Sequence, residues 1–277
     1  MKGNNRPIGL FDSGVGGLTI AAELSRQIPH EQYIFYGDTA HLPYGDKSPE
    51  TIREYTRYIT RFLLSYDVKA IVIACNTASA VAADVVIEEA GATPVIEVIG
   101  PTVSEAMRCS SNLKLGILAT HTTIKSQVYR KRILQLNPEA LVYEKASPLL
   151  VPLIEEGWID HPACRMILET YLSDPNWQEI DTVILGCTHY PLLRDAVDSF
   201  FRNNSTKEVL VLDSSVPSVK VLQETLSHLD LLAMPNKSQA LNRYFVSDIS
   251  PHFQSNANRF LNQEIELEYC PLTEVFY

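Results

Sequence analysis

Ala70-Ile71-Val72-Ile73-Ala74-Cys75-Asn76-Thr77 is an unbroken apolar run that halts at a thiol and two polar residues. A run this short and this rich in Ile and Val reads as a strand buried on both faces, the habit of parallel sheets covered by helices. Thr182-Val183-Ile184-Leu185-Gly186-Cys187-Thr188-His189 follows the same plan further on. In both stretches a cysteine stands where a strand gives way to a helix. Open α/β sheets bind ligands beyond the carboxyl ends of their strands, so two such thiols, one from each half of the chain, can face one small molecule as an acid/base pair.

Outward from these segments, apolar runs at Ile8–Phe11, Tyr33–Tyr36, Val95–Val98, Leu115–Leu118, Leu141–Tyr143 and Val209–Leu212 alternate with helix-like stretches. The latter, Pro49–Tyr66, Ala78–Ala90, Ile124–Gln135, Leu192–Phe201 and Val216–Leu226, carry apolar residues three and four apart. The pattern predicts an α/β protein with mostly parallel sheets. Gly100-Pro101 and Cys109-Ser110-Ser111-Asn112 bracket an expected hinge, because Gly and Pro punctuate elements and the strand-helix rhythm restarts at Leu115. A second crossing is expected near Asn203-Asn204-Ser205. The likeness between the Cys75 and Cys187 segments is the only internal echo, and it suggests two structurally related halves.

The chain has 277 residues, 45% of them hydrophobic, enough for a sizeable core and, at roughly 150 residues per domain, for two domains. A net charge of −10 without any basic run argues against a nucleic-acid surface, which needs clustered Lys and Arg. An anionic small substrate remains admissible, since backbone amides at helix starts supply local positive potential. No stretch approaches the ~20 apolar residues of a membrane span, and Met1–Arg6 lacks a signal-peptide core, so the expected partners exclude membranes and the expected compartment is the cytoplasm. Five scattered cysteines, an odd number, predict reduced thiols rather than a disulfide framework.

Asp12-Ser13-Gly14-Val15-Gly16-Gly17 is a glycine-rich turn that opens a helix, where free amides can hold a carboxylate or phosphate. Its spacing fits neither common nucleotide-binding loop, and capping of that helix by Ser13 or Asp12 competes with a functional reading. Cys75 at a helix start is favoured as thiolate by the helix dipole, with Thr77 or Ser79 as the expected cap. His189, two residues after Cys187, can hold that thiol as thiolate or carry its proton, since imidazole titrates near neutrality. Zinc is the rival explanation for Asp12, Cys75, Cys187 and His189, but no familiar metal-binding spacing supports it. Thr120 and Thr123 offer hydroxyls at another strand end, and Pro43-Tyr44-Gly45 forms a turn with one phenol; both sets can orient a polar substrate or be ordinary cap and turn residues. Glu155, after an apolar run, is either a half-buried acid or part of a solvated helix face.

Taken together, Asp12-Ser13-Gly14-x-Gly16-Gly17, Pro43-Tyr44-Gly45, Ala74-Cys75-Asn76-Thr77-Ala78-Ser79, Thr120-x-x-Thr123 and Gly186-Cys187-Thr188-His189-Tyr190-Pro191 resemble the glutamate racemases in order and spacing over nearly the whole chain. Aspartate racemases look similar around the first cysteine, but they typically carry an acid where His189 stands. The resemblance implies cofactor-independent interconversion of L- and D-glutamate, with the counterpart of Cys75 acting on D-glutamate and that of Cys187 on L-glutamate. It further implies that Asp12 assists Cys75, that His189 and Glu155 assist Cys187, and that Ser13, Asn76, Thr77, Thr120, Thr123 and Thr188 hold the substrate. Two similar α/β domains, residues 1–100 with 211–277 and residues 101–210, are expected to face each other across the site. No metal or cofactor is called for, a homodimer is an admissible assembly, and the implied role is D-glutamate supply for peptidoglycan.

Overall fold

The computed structural model describes residues 4–234, 242–249, 251–261 and 263–272. Its strands are β1 (Ile8–Asp12), β2 (Tyr33–Gly37), β3 (Ala70–Ile73), β4 (Val95–Glu97), β5 (Lys114–Ala119), β6 (Leu141–Ala146), β7 (Thr182–Gly186), β8 (Leu210–Asp213), β9 (Arg243–Val246) and β10 (Leu267–Tyr269). Its α-helices are α1 (Leu18–Gln27), α2 (Pro49–Ser65), α3 (Asn76–Ala90), α4 (Ile99–Cys109), α5 (His121–Ser126), α6 (Val128–Leu136), α7 (Leu150–Glu155), α8 (Pro162–Leu172), α9 (Arg194–Asn204), α10 (Ser215–His228) and α11 (Pro251–Leu261).

The strands form two sheets, ordered β10-β9-β2-β1-β3-β4 and β6-β5-β7-β8, and every pairing is parallel. The order β2-β1-β3-β4 in the first sheet is repeated as β6-β5-β7-β8 in the second. The internal echo around the cysteines therefore has a topological basis: Cys75 follows β3 and Cys187 follows β7, the equivalent strands. In each sheet the chain leaves the inner strand, β1 or β5, to one side and returns on the other, so the crevice of the order reversal opens beside the next strand's carboxyl end. Phe11 pairs with Ile73 and Ala119 with Gly186, which puts the loops after β1 and β3, and after β5 and β7, side by side.

Both faces of each sheet are covered, so the central strands are apolar throughout rather than alternating. Ile8, Leu10 and Val72 pack with Leu18 and Leu24 of α1 and Leu222 of α10, while Phe11, Ile71 and Ile73 pack with Ile59 and Leu63 of α2 and Ala82 of α3. In the second sheet Val183 and Leu185 meet Leu168 of α8 and Val197 of α9, and Ile184 meets Val103 of α4 and Ile133 of α6. Fully burying such a side chain contributes about 1.5–3 kcal/mol.

Several boundaries differ from those read in the sequence. Gly100 and Pro101 lie in the first turn of α4, where a proline's missing amide costs little, so the first connection is a helix rather than an open hinge. Asn203 and Asn204 end α9, and the strand after them, β8, pairs with β7; residues 211–213 therefore complete the four-stranded sheet and the crossing back is made by α10. The expected helix Ile124–Gln135 is two helices broken at Gln127, whose φ of 58° is left-handed.

Candidate active site

β1 delivers Asp12, which is fully buried, to the floor of the glycine-rich loop. Its Oδ2 accepts hydrogen bonds from the amides of Gly14 (3.3 Å) and Gly17 (2.8 Å), so the side chain holds the loop rather than capping α1, and α1 begins after Gly17 without a side-chain cap. β3 delivers Cys75 beside it. Cys75 itself takes the N-cap position of α3: its Sγ accepts from the Ala78 amide at 3.4 Å and approaches Ser13 Oγ at 3.7 Å. The expected caps, Thr77 and Ser79, lie inside the helix. Burial, reinforced by the Asp12 carboxylate, raises the Cys75 thiol well above its ordinary pKa, so it rests as S–H. Burial also raises Asp12, opposed by His189, the Gly17 amide and the Cys75 side chain. Among the described residues no donor reaches Asp12 Oδ1 at hydrogen-bonding distance.

β7 delivers Cys187 on the other side. Its Sγ is 3.9 Å from Nδ1 of His189, whose Nε2 is 3.0 Å from Oε1 of Glu155, the last residue of α7. The histidine is buried, which disfavours its charge. The Cys187 sulfur and the Glu155 carboxylate outweigh that burial and raise its pKa well above the usual imidazole range. His189 is thus held as a cation beside Cys187. Behind it Tyr190 donates to the Ser147 carbonyl at 2.9 Å and anchors the segment after Cys187.

Both thiols line one cleft of about 340 Å³ between the sheets, together with Ser13, Pro43, Gly45, Asn76, Thr77, Thr120, Glu155, Thr188 and His189. The two sides approach so closely that only glycine fits at two points. A Cβ on Gly16 would collide with Thr188 and stand 2.5 Å from His189 Nδ1, and one on Gly45 would stand 2.8 Å from Thr120 Cβ. One end of the cleft is a cluster of hydroxyls: Thr77 Oγ1 is 3.0 Å from Thr120 Oγ1 and 3.3 Å from Thr123 Oγ1, and the latter two are 2.9 Å apart. Asn76 Nδ2 donates to Tyr129 (2.8 Å) and Ser214 (3.1 Å), while its buried Oδ1 has no donor among the described residues and is left for a bound group. None of the lining residues is a lysine or arginine.

Three residues singled out in the sequence stand behind the lining rather than in it. Asp12 and Thr123 act on cleft residues through the contacts just given. The Tyr44 phenol is wholly buried and donates to Asp38 at 2.6 Å, because the turn that brings Gly45 to the cleft sends it into the core. Leu42 and Val151 also line the cleft and were not singled out, since a lone apolar residue beside a turn or in a helix carries no chemical signal. Among the described residues no group of three or more His, Cys, Asp or Glu side chains is arranged to hold a metal ion, and no helix is long and apolar enough to cross a membrane.

Residues 18–221 match the sequence model of the Asp/Glu/Hydantoin racemase family. The chain belongs to this racemase family. It is 42% identical over 264 residues to the glutamate racemase of Neisseria meningitidis serogroup C, covering 95% of this chain and 96% of that one. Its fold is similar to that of the Francisella tularensis glutamate racemase solved in complex with D-glutamate, with a TM-score of 0.90, 38% identity and coverage of 98% of this chain and 99% of that one. A glutamate racemase isoform from Bacillus anthracis matches with a TM-score of 0.88 and 32% identity over 97% of this chain and 98% of that one. Racemases of this family thus share with this chain the full two-sheet architecture.

Proposed function

We propose that this racemase interconverts L- and D-glutamate by removing the α-proton with one thiolate and delivering a second proton to the opposite face from the other thiol. The observation that carries the reading is that Cys75 and Cys187, from equivalent strand ends of two sheets, line the same cleft. With L-glutamate bound, the Cys187 thiolate removes the α-proton and becomes a thiol. The pair of electrons left on carbon delocalises into the α-carboxylate, and the Cys75 thiol returns its own proton to the opposite face and becomes a thiolate. D-glutamate reacts by the same steps in reverse. Asp12 holds or accepts the Cys75 proton, and His189, backed by Glu155, does the same for Cys187.

The α-C–H bond is a very weak acid, so the carbanion needs donors already in place and water excluded. Buried thiols, amides at the start of α3 and the hydroxyls of Thr77 and Thr120 meet that need without a formal positive charge in the lining. We assign the three-threonine cluster to the side-chain carboxylate, Asn76 Oδ1 to the ammonium group, and Ser13 and Thr188 to the α-carboxylate region. A Schiff-base route would need a lysine amine, and the lining has none. The likeness to relatives named glutamate racemases supports glutamate as the substrate; supply of D-glutamate for peptidoglycan in the cytoplasm is the role we propose with it.

A panel of enantiomerically pure amino acids, followed by chiral chromatography without added cofactor, tests the assignment. Rapid inversion of L- and D-glutamate with little inversion of aspartate is expected. Preferential inversion of aspartate, or inversion only after addition of pyridoxal phosphate, would overturn it.

A further inference from the structure

Glu155 completes the relay behind Cys187, yet it ends a six-residue helix and its side chain is 23% exposed. A group so placed needs something to hold it. That support comes from the C-terminal return of the chain. Asn256 of α11 donates from Nδ2 to the backbone carbonyl of Glu155 at 2.8 Å, satisfying one of the carbonyls that a helix end leaves without an intrahelical donor. One turn further on, Phe260 sets its ring edge-on to His189, with centroids 6.1 Å apart and planes at 88°. Residues four apart share a helix face, so one face of α11 touches both the acid and the imidazole. The same helix is rooted through Phe253 and Ala257 in the core of the six-stranded sheet, whereas α7 packs in the core of the four-stranded sheet.

We propose that Asn256 is a positioning residue for the Cys187 half of the reaction, fixing the backbone from which Glu155 reaches His189. The inference rests on the two-thiol reading above. Among the described residues of α11, Asn256 and Phe260 are the ones placed against the Cys187 relay, at Glu155 and His189, so the effect of losing Asn256 is expected on that side. Free L- and D-glutamate are equal in energy, and kcat/KM must fall equally in both directions whatever is mutated; the asymmetry is therefore visible in isotope effects rather than in that ratio.

The test compares Asn256→Ala, Asn256→Ser, Glu155→Gln and the double variant Asn256→Ala/Glu155→Gln with the parent full-length chain. Asn256→Ala is expected to lower kcat about tenfold with KM nearly unchanged, the size of one lost positioning hydrogen bond. The primary deuterium isotope effect from α-deuterated substrate should rise for L-glutamate and fall toward unity for D-glutamate, where removal by Cys75 becomes less limiting. Asn256→Ser, which keeps a donor and guards against a folding defect in the alanine variant, should show the same shift more weakly. In the double variant the asparagine change should add less than about twofold, because the two residues act as one unit. Independent, multiplicative losses, a KM effect without a kcat effect, or isotope effects that rise equally for both enantiomers would each overturn the proposal. Parental kinetics in Glu155→Gln would instead remove the relay itself, and the role of Asn256 with it, while leaving the two thiols in place.

Discussion

The two thiols occupy equivalent strand ends and are served in different ways. Cys75 is handled within one sheet's loops: Asp12, on the neighbouring strand, is pinned by two amides of its own loop, and the thiol is pinned by a third at the start of α3. Cys187 is served by a chain of parts drawn from three places, His189 from its own loop, Glu155 from α7 and Phe260 from α11. The first arrangement uses a buried carboxylate and leaves its thiol protonated. The second uses a cation. A fold that repeats its topology can thus give two equivalent thiols opposite electrostatic partners, because the neighbouring side chains rather than the strands set those surroundings.

That contrast can be broken most severely at the thiols. Cys75→Ser and Cys187→Ser should each cut racemisation about a thousandfold or more, since a serine hydroxyl is a far weaker acid and base at neutral pH. Each variant should still exchange the α-hydrogen of one enantiomer with deuterated water, D-glutamate for Cys187→Ser and L-glutamate for Cys75→Ser. Proton NMR of the residual substrate checks this, and exchange of the same enantiomer in both variants would refute the assignment of faces. Asp12→Asn and Glu155→Gln come next, with losses of about a hundredfold in kcat. The isotope effect should rise for D-glutamate in the first and for L-glutamate in the second.

The difference in charge has a signature in stability. His189 binds its proton more tightly in the folded chain than at its ordinary value of 6.5, so its charged form contributes stability that is fully present below pH 6.5. That contribution is lost as the pH rises from 6.5 through the raised pKa. The Tm difference between the parent and His189→Gln should therefore be largest at and below pH 6.5 and shrink at higher pH, and a difference independent of pH would contradict the cationic reading. The smallest effect is expected where both halves are treated alike. Thr123→Val should raise KM for both enantiomers about fivefold, the cost of about one hydrogen bond, with kcat little changed.

Much of this was legible in the residues. Strand ends announce themselves, because an apolar run stopping at Cys-Asn-Thr or Cys-Thr-His has no packing reason to stop there, and from those stops the α/β fold and the facing thiols follow. Glu155 was visible only as an acid after an apolar run, and its contact with His189 depends on α7 folding back across a loop. The parts supplied by α11 were not legible. Tyr244-Phe245-Val246 and Leu267-Glu268-Tyr269 are too short to stand out as strands, so the return of the chain's end to the first sheet was expected from the resemblance alone and not from any local periodicity. The place of the Tyr44 phenol was likewise not legible: the turn left both a substrate-facing and an ordinary turn role open, and only the fold shows Asp38, six residues before it, taking its hydrogen bond inside the core.

The most direct measurement follows deuterium into glutamate in deuterated water, starting from either enantiomer and without added cofactor. Two opposed thiols predict that, early in the reaction, the inverted product carries solvent deuterium at its α-carbon while the unreacted enantiomer keeps its original hydrogen. Product that retains the starting hydrogen, or deuterium entering both enantiomers at equal rates from the outset, would mean that a single group serves both faces, and the two-thiol account would be wrong.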